Sequence, residues 1–577
     1  MRIRNATVAE MFNTMADLLE IKGENPFRIR AYRTAAHTIY SLSSDVSELL
    51  ENGEDLSRLP GIGKDLASKI EQIVMTGQLD VLEELKKEVP FELISLMRIA
   101  GLGGKRIKAI NRRLGVQSVE QLERAALEHK ICKLPGFGEK IERSILDGIK
   151  QLREETGTRM KLYDAEEIVN RIRKFLQSEN TIDKLIVAGS FRRKRETVRD
   201  IDILITTDVP LRVISLFLQF PEIDKVLVRG ETRCTVLLNS GMQVDIRVVA
   251  KESYGAALHY FTGSKAHNIG IRKMGVRLGL KINEYGIWKE GSRIAGEREE
   301  DVFRVVGLPF VEPELREDRG ELEAAKNGKL PHLVELHQIR GDLHTHTSRT
   351  DGKATIEEMV DTAKALGYEY IAITDHSQRL AMTHGLNEND LALQIDIIDK
   401  ANDNLKGFRI LKGIEVDILE DGTLDLADSI LKRLDLTVCS VHSKLNLSRK
   451  QQTERVLRAM ENPYFTILAH PTGRLINRRA PVEIDMERVL NKAKELHRVV
   501  EINSYPDRLD MNDVHCRMAK ELGVKVSINT DAHSTNDLNF IRFGVAQARR
   551  GWLEPSDVIN TRGLNDLLNL LCSIREN

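Results

Sequence analysis

A chain of 577 residues is well beyond what one hydrophobic core can serve, so three or four domains are expected. With 41% hydrophobic and 30% charged residues it reads as a soluble, charge-rich protein, and no apolar run approaches the roughly 20 residues needed to cross a bilayer. A net charge of −1 does not exclude a nucleic-acid partner, because residues 105–113 and 192–195 gather positive charge locally. The first segment, MRIRNATVAEMFNTMADLLE, alternates charged and apolar residues at helical spacing where a signal peptide would show an unbroken apolar stretch, and a cytoplasmic protein is expected. The five cysteines include no CxxC pair and read as reduced packing residues.

One device then appears three times: LPGIGKDLASKI at 59–70, IAGLGGKRIKAI at 99–110 and LPGFGEKIERSI at 134–145. Each copy sets G-x-G between two helical patterns, with an apolar residue between the glycines and Lys or Arg in the next turn. The glycines, Gly61 and Gly63, Gly101 and Gly103, Gly136 and Gly138, permit a tight turn. The helix that follows offers unpaired N–H groups to a phosphate, with Lys105 beside them in the second copy. These segments resemble helix-hairpin-helix motifs, and with NPFRIRAYRTAAHTI at 25–39 they resemble the N-terminal part of family X DNA polymerases, which grip DNA on either side of a gap. Some members of that family carry 5′-deoxyribose-phosphate lyase activity, and Lys69 falls where their Schiff-base lysine lies. Asp65 stands where lyase-active relatives have a helper lysine, and a carboxylate there opposes an amine nucleophile.

In the middle third, IVAGSFRRKRETVRDIDILI runs from an apolar strand through Gly189 and Ser190 to a second strand in which period-two alternation puts Asp200 and Asp202 on one face. The strand QVDIRVV offers Asp245. Three carboxylates among Ile, Leu and Val repel one another unless cations sit between them, and two Mg²⁺ or Mn²⁺ ions suit that need. The turn at Gly189 and Ser190 resembles the nucleotidyltransferase signature, which implies that these two residues, helped by Arg192, hold an incoming triphosphate. ALHYFTGSKAHNIGIRKMG resembles the nucleotide-binding segment of the same family. By that resemblance Tyr260 and Phe261 line the sugar pocket, Gly263 supplies the bend, Asn268 meets the base edge and Arg272 touches the template. Lys265 stands where several vertebrate members are acidic, and could strengthen triphosphate binding. Arg247 and Glu284 match positions that tie the closed state together.

After a charged, Pro-marked stretch, apolar strands alternate with amphipathic helices, and several strands end in a potential metal ligand. These ligands are His344, His346, Asp351, His376, Glu415, His442, His470, Asp531 and His533. With RVVEINSY the pattern has seven candidate strands. A lone histidine beside an apolar strand is usually a hydrogen-bonded core residue, but this repeated position suits a site of up to three Mn²⁺ or Zn²⁺ ions. The motifs resemble the PHP domain, named for polymerases and histidinol phosphatase. The resemblance implies one metal at His344, His346, Glu415 and Asp531, a second at Asp351, His376 and His533, and a third at Glu415, His442 and His470. It further implies that a metal-activated water attacks a phosphodiester while Arg474 and His384 hold the phosphate.

The expected architecture is multidomain α and α/β. A helical lyase-like domain with the first hairpin spans 1–85 and a helical region with the other two spans 86–158. A nucleotidyltransferase palm with a mixed or antiparallel sheet and its nucleotide-selection part spans 159–315, a linker 316–338, and a distorted (β/α)7 PHP barrel 339–577. The expected function is gap-filling DNA synthesis in base excision repair, by a monomer using gapped or primed DNA and deoxynucleoside triphosphates. The barrel is expected to act as a 3′-5′ exonuclease that also cuts at abasic sites. Two alternatives stay open: a barrel that is a small-molecule phosphatase or pyrophosphatase, and a non-catalytic DNA repair scaffold.

Overall fold

A computed structural model of the chain describes residues 5–40, 42, 46–51, 53–99, 102–157, 159–177, 180–379 and 383–576. The N-terminal region is helical, and its first helix, Asn5–Lys22, shows why: Val8, Phe12, Met15 and Leu19 recur at three- and four-residue spacing and all are buried. Helices Lys64–Thr76, Gly104–Leu114 and Glu139–Gly157 each follow one of the glycine turns. Between the glycines, Ile62, Leu102 and Phe137 plug into the helical core. Gly61 and Gly136 take φ of +78° and +81°, which a side chain would resist.

The middle region holds a five-stranded sheet in the order Ile182–Val187, Asp200–Thr207, Gln243–Val248, Arg233–Leu238, Ile223–Arg229. Asp200–Thr207 runs parallel to Gln243–Val248 and the other neighbours are antiparallel, so the sheet is mixed. Helices Leu162–Leu176 and Pro210–Phe217 supply its apolar cover. Helices Tyr254–Thr262 and Lys265–Arg277 and a three-stranded antiparallel sheet complete this part.

The C-terminal region is a barrel of parallel strands. Gly341–Asp342 pairs with Tyr370–Ile373, which pairs with Arg409–Lys412; Glu415–Asp417 then continues through Val438–Ser440, Ile467–Leu468 and Val499–Asn503 to Val526–Asn529. The bridge between His376 and Glu415 joins the two ladders, and the bridge between Thr345 and Ala532 closes the ring. Arg409–Lys412 and Glu415–Asp417 lie end to end across Gly413 and Ile414, so among the described residues the ring has seven strand positions.

The stretch 316–338, expected as a linker, is built into the structure. Arg316 is fully buried with its guanidinium 2.5 Å from Glu299, and Glu321 is fully buried against His267 at 2.7 Å. Leu315, Ala324 and Leu333 share a core with Trp552 of the barrel region. Ile476, Leu509 and Phe543 of the barrel join the core of the five-stranded sheet. The middle and C-terminal regions are therefore packed against each other through apolar side chains.

Candidate active sites

The register of the mixed sheet sets Asp202 directly opposite Asp245, with Asp200 two positions earlier on the same face. Burial, then the charges of Asp200 and Asp245, push the Asp202 carboxyl up to about 7. Burial and neighbouring carboxylates both disfavour the charged form. Asp245 is held by the Thr235 hydroxyl at 2.5 Å and the Gln243 amide at 2.7 Å, which fix its orientation. Gly189 has φ +60°, and a Cβ there would stand 2.2 Å from Asp202 Oδ2. The turn thus lies against the carboxylate pair, with Ser190 half-buried beside it.

Arg192 makes a two-toothed pair with Glu299 at 2.6 and 2.7 Å and donates to Thr262 Oγ1 at 2.8 Å. Contact with a triphosphate requires it to leave Glu299. Tyr260 and Phe261 meet edge to face at 5.1 Å, and the Arg247 guanidinium lies 4.6 Å over the Phe261 ring. Gly263 ends the helix Tyr254–Thr262, and a Cβ there would stand 2.4 Å from Asn268 Oδ1. The Asn268 amide donates to the carbonyls of Tyr260 at 2.7 Å and Gly263 at 3.3 Å, while its buried Oδ1 has no partner. Asn268 therefore holds the bend that Gly263 permits. Lys265 and Arg272 are exposed on the next helix, and Glu284 is half-buried.

In the helical region, Gly63 and Gly103 precede their helices without any side-chain cap bond, which leaves first-turn N–H groups for a ligand. Lys105 is exposed at the second of these ends, and Gly138 stands just before the helix Glu139–Gly157; Gly101 lies outside the described residues. The Lys69 ammonium sits 2.5 Å from Asp65 Oδ1, the carboxylate that its spacing led one to expect.

At the mouth of the barrel all nine expected ligands converge. Glu415 is central: its Oε2 lies 3.4, 3.5 and 2.9 Å from His344 Nε2, His346 Nε2 and His376 Nδ1. Its Oε1 lies 3.3 and 3.0 Å from His442 Nε2 and His470 Nε2. Asp531 Oδ1 is 3.1 Å from His346 Nε2 and 3.6 Å from His344 Nε2, and Asp351 Oδ2 is 3.5 and 3.4 Å from Nε2 of His376 and His533. Such spacings suit ligands about 2.0–2.2 Å from a shared ion. His344 Nε2, both ring nitrogens of His346, His376 Nδ1 and Glu415 Oε2 are buried and crowd against one another or Asp531 without well-formed hydrogen bonds, an arrangement that suits an ion among them. The nine residues thus fit a cluster of divalent cations. His346 also sits with Asp351, His376 and His533, so it borders two of the three groups. His470 and Asp531 take φ of +24° and +56°, a left-handed backbone that side-chained residues rarely adopt.

Sequence reasoning missed the supports around this cluster. Glu501, fully buried, lies 2.7 Å from His344 Nδ1 and accepts the His470 backbone N–H at 2.8 Å, which aims His344 Nε2 inward. Its position in RVVEINSY at a strand end was the available signal. Asp417 lies 3.3 Å from His442 Nδ1 in the same way. Arg508 Nε reaches to 3.5 Å from Asp531 Oδ2, in a loop without periodicity to mark it. Arg474, expected to hold substrate phosphate, has its guanidinium paired with Glu196 at 3.2 and 2.6 Å and donates to backbone carbonyls. His384 is exposed, with φ +56°.

Comparison with known proteins completes the picture. A helix-hairpin-helix domain matches residues 3–79, a SAM-like helix-hairpin-helix tandem 93–151, a DNA polymerase beta thumb 257–317 and a PHP domain 342–504. The DNA polymerase/3′-5′ exonuclease PolX of Bacillus subtilis (strain 168) is 39% identical over 564 residues, covering 97% of this chain and 98% of that one. A probable phosphatase of Thermoanaerobacter sp. (strain X514) is 31% identical over 232 residues, 38% of this chain and 89% of that protein. A probable phosphatase of Caldanaerobacter subterraneus subsp. tengcongensis is 32% identical over 209 residues, 34% of this chain and 77% of its own length.

Proposed function

Since the chain belongs to the PolX family of DNA polymerase/3′-5′ exonucleases, we propose that it fills short gaps during base excision repair at Asp200, Asp202 and Asp245 and trims 3′ ends at the barrel. The observation that carries this is the coexistence in one chain of the aspartates paired across the sheet and the buried cluster of histidines and carboxylates at the barrel mouth. Divalent cations supply charge neutralisation and acidify a hydroxyl or water at each site, with Mg²⁺ or Mn²⁺ at the aspartates and Mn²⁺ or Zn²⁺ in the barrel.

The residues themselves do the positioning. Gly189 lets the phosphate turn lie against Asp202, and Thr235 and Gln243 hold Asp245 in register. Asn268 keeps the bend at Gly263 beside Tyr260 and Phe261, where a sugar is to be received. Upon release from Glu299, Arg192 joins Ser190 and Lys265 on the triphosphate, and Arg272 meets the template. The glycine turns, Lys105 included, hold DNA by its backbone. Lys69, tied to Asp65, serves as a phosphate contact and not as a lyase nucleophile. In the barrel, Glu501 orients His344, and Glu415, whose two oxygens face different histidines, would help to hold cations that would activate a water toward a 3′-terminal or abasic-site phosphodiester.

The division 1–85, 86–158, 159–315, 316–338 and 339–577 serves this reading, with the fourth segment as a linker packed against its neighbours. The protein acts as a monomer in the cytoplasm, where its substrates are. Incubation with gapped DNA, nucleotides and Mg²⁺ or Mn²⁺ tests the proposal: extension across the gap supports it, and no incorporation with either ion overturns it.

A second reading has its own support, because relatives named probable phosphatases match at 31% and 32% identity over stretches the length of the barrel. It makes the barrel a phosphatase for pyrophosphate or a small phosphomonoester. Phosphate release from such substrates, with no nucleotide released from a primer end, would favour it.

A further inference from the structure

The loops of the two catalytic sites are joined by side chains that neither chemistry requires. Glu196 lies between the phosphate turn and the strand Asp200–Thr207. Its carboxylate takes both Arg474 Nη1 at 3.2 Å and Nη2 at 2.6 Å, and accepts from Gln547 Nε2 at 3.4 Å. Arg474 follows the ligand His470 in the chain, is only 8% exposed, and donates as well to the carbonyls of Arg508 at 2.9 Å and of Leu509. Those carbonyls belong to the loop that carries the Arg508 side chain to Asp531.

Other contacts fix the same loop to the polymerase side. Lys161 pairs with Asp507, and Leu509 is buried in the core of the five-stranded sheet. Next to it, Asn477 donates to the Arg159 carbonyl at 2.8 Å, while Arg159 grips Thr197, the neighbour of Glu196. A buried guanidinium deprived of its carboxylate is an uncompensated charge, held only by its bonds to the Arg508 and Leu509 carbonyls. Arg508 is half-buried 3.5 Å from Asp531, which sets a cation at the edge of the ligand cluster, where a substrate phosphate has to approach.

We propose that Glu196, a residue of the polymerase region, is a positioning residue for phosphodiester hydrolysis in the barrel: through Arg474 it sets the loop that aims Arg508 at the substrate phosphate. The inference rests on the barrel being the nuclease. It makes the polymerase-site loop and the nuclease-site loop parts of one brace.

The test uses the full chain with Mn²⁺ and measures kcat and KM for degradation of single-stranded DNA, gap filling, and bound metal per chain. Glu196→Gln and Arg508→Ala each lower exonuclease kcat/KM by about tenfold, the size expected for a misplaced substrate contact. Gap filling stays within about twofold, bound metal is unchanged, and the double variant is no worse than Arg508→Ala alone, as for residues acting in one chain of contacts. Glu196→Asp, which keeps the charge, restores most of the loss. Full exonuclease activity in Glu196→Gln overturns the inference, as do multiplied losses in the double variant, an equal loss of gap filling, or loss of bound metal. His344→Ala keeps the two levels apart. If it still degrades DNA, the reading of the barrel fails; if it is inactive while Glu196→Gln is normal, only the brace fails.

Discussion

Gly189 has Asp202 Oδ2 where a Cβ would stand, 2.2 Å from the ideal position, so a single methyl group at this turn must displace the Asp202 carboxylate proposed to bind metal. Gly189→Ala is therefore expected to lower primer extension by at least about tenfold while exonuclease activity is unchanged, because only the polymerase-side ligand moves. Glu501→Gln acts on the other site: it removes the charge that orients His344 and should weaken metal binding in the barrel by about 10- to 100-fold, read by competition with a chelating dye. Lys69, paired with Asp65 at 2.5 Å, is expected to give no borohydride-trapped adduct with an abasic substrate, and a trapped adduct lost in Lys69→Ala would reverse that assignment. Most of the nine candidate barrel ligands stood out at this scale because they follow apolar strands, a position that a sequence displays, while Asp351 lies in the loop after His346. The pairing of Arg474 was not legible because spacing places a side chain near a site without saying which way it points, and its partner Glu196 lies far away in the chain. Arg508 was missed for the related reason that an irregular loop carries no period.

At the scale of elements, the repeated glycine turns were the plainest signal, and their apolar plugs Ile62, Leu102 and Phe137 are buried as the pattern required. An exposed cation at such a turn should contribute to DNA affinity through phosphate alone. Lys105→Ala is expected to reduce the slope of log affinity against log salt by about one, uniformly across DNA sequences. A sequence-dependent loss would mean that Lys105 reads bases. The mixed sheet was readable from alternation in DIDILI and QVDIRVV, whereas the stretch 316–338 was not. Charged composition looks like a solvated connector, and nothing local shows that Arg316 is fully buried on Glu299 or Glu321 on His267. Arg316→Leu leaves the Glu299 carboxylate short of one of its two arginines, and a destabilisation of about 3–5 kcal/mol is expected in denaturant unfolding. A change under about 1 kcal/mol would show that Arg192 alone compensates the charge.

For the whole molecule, the order of the regions along the chain was legible and their packing was not, since Leu509 and Phe543 of the barrel meet the polymerase core only once both are folded. That packing places two metal-dependent chemistries in one body while each site keeps its own ligands. The most direct test follows a labelled primer on a gapped template in two variants. Asp200→Ala with Asp202→Ala should shorten the primer without extending it, and His344→Ala with His346→Ala should extend it without shortening it. Loss of both activities in either variant, or continued shortening after both histidines are removed, would contradict the account.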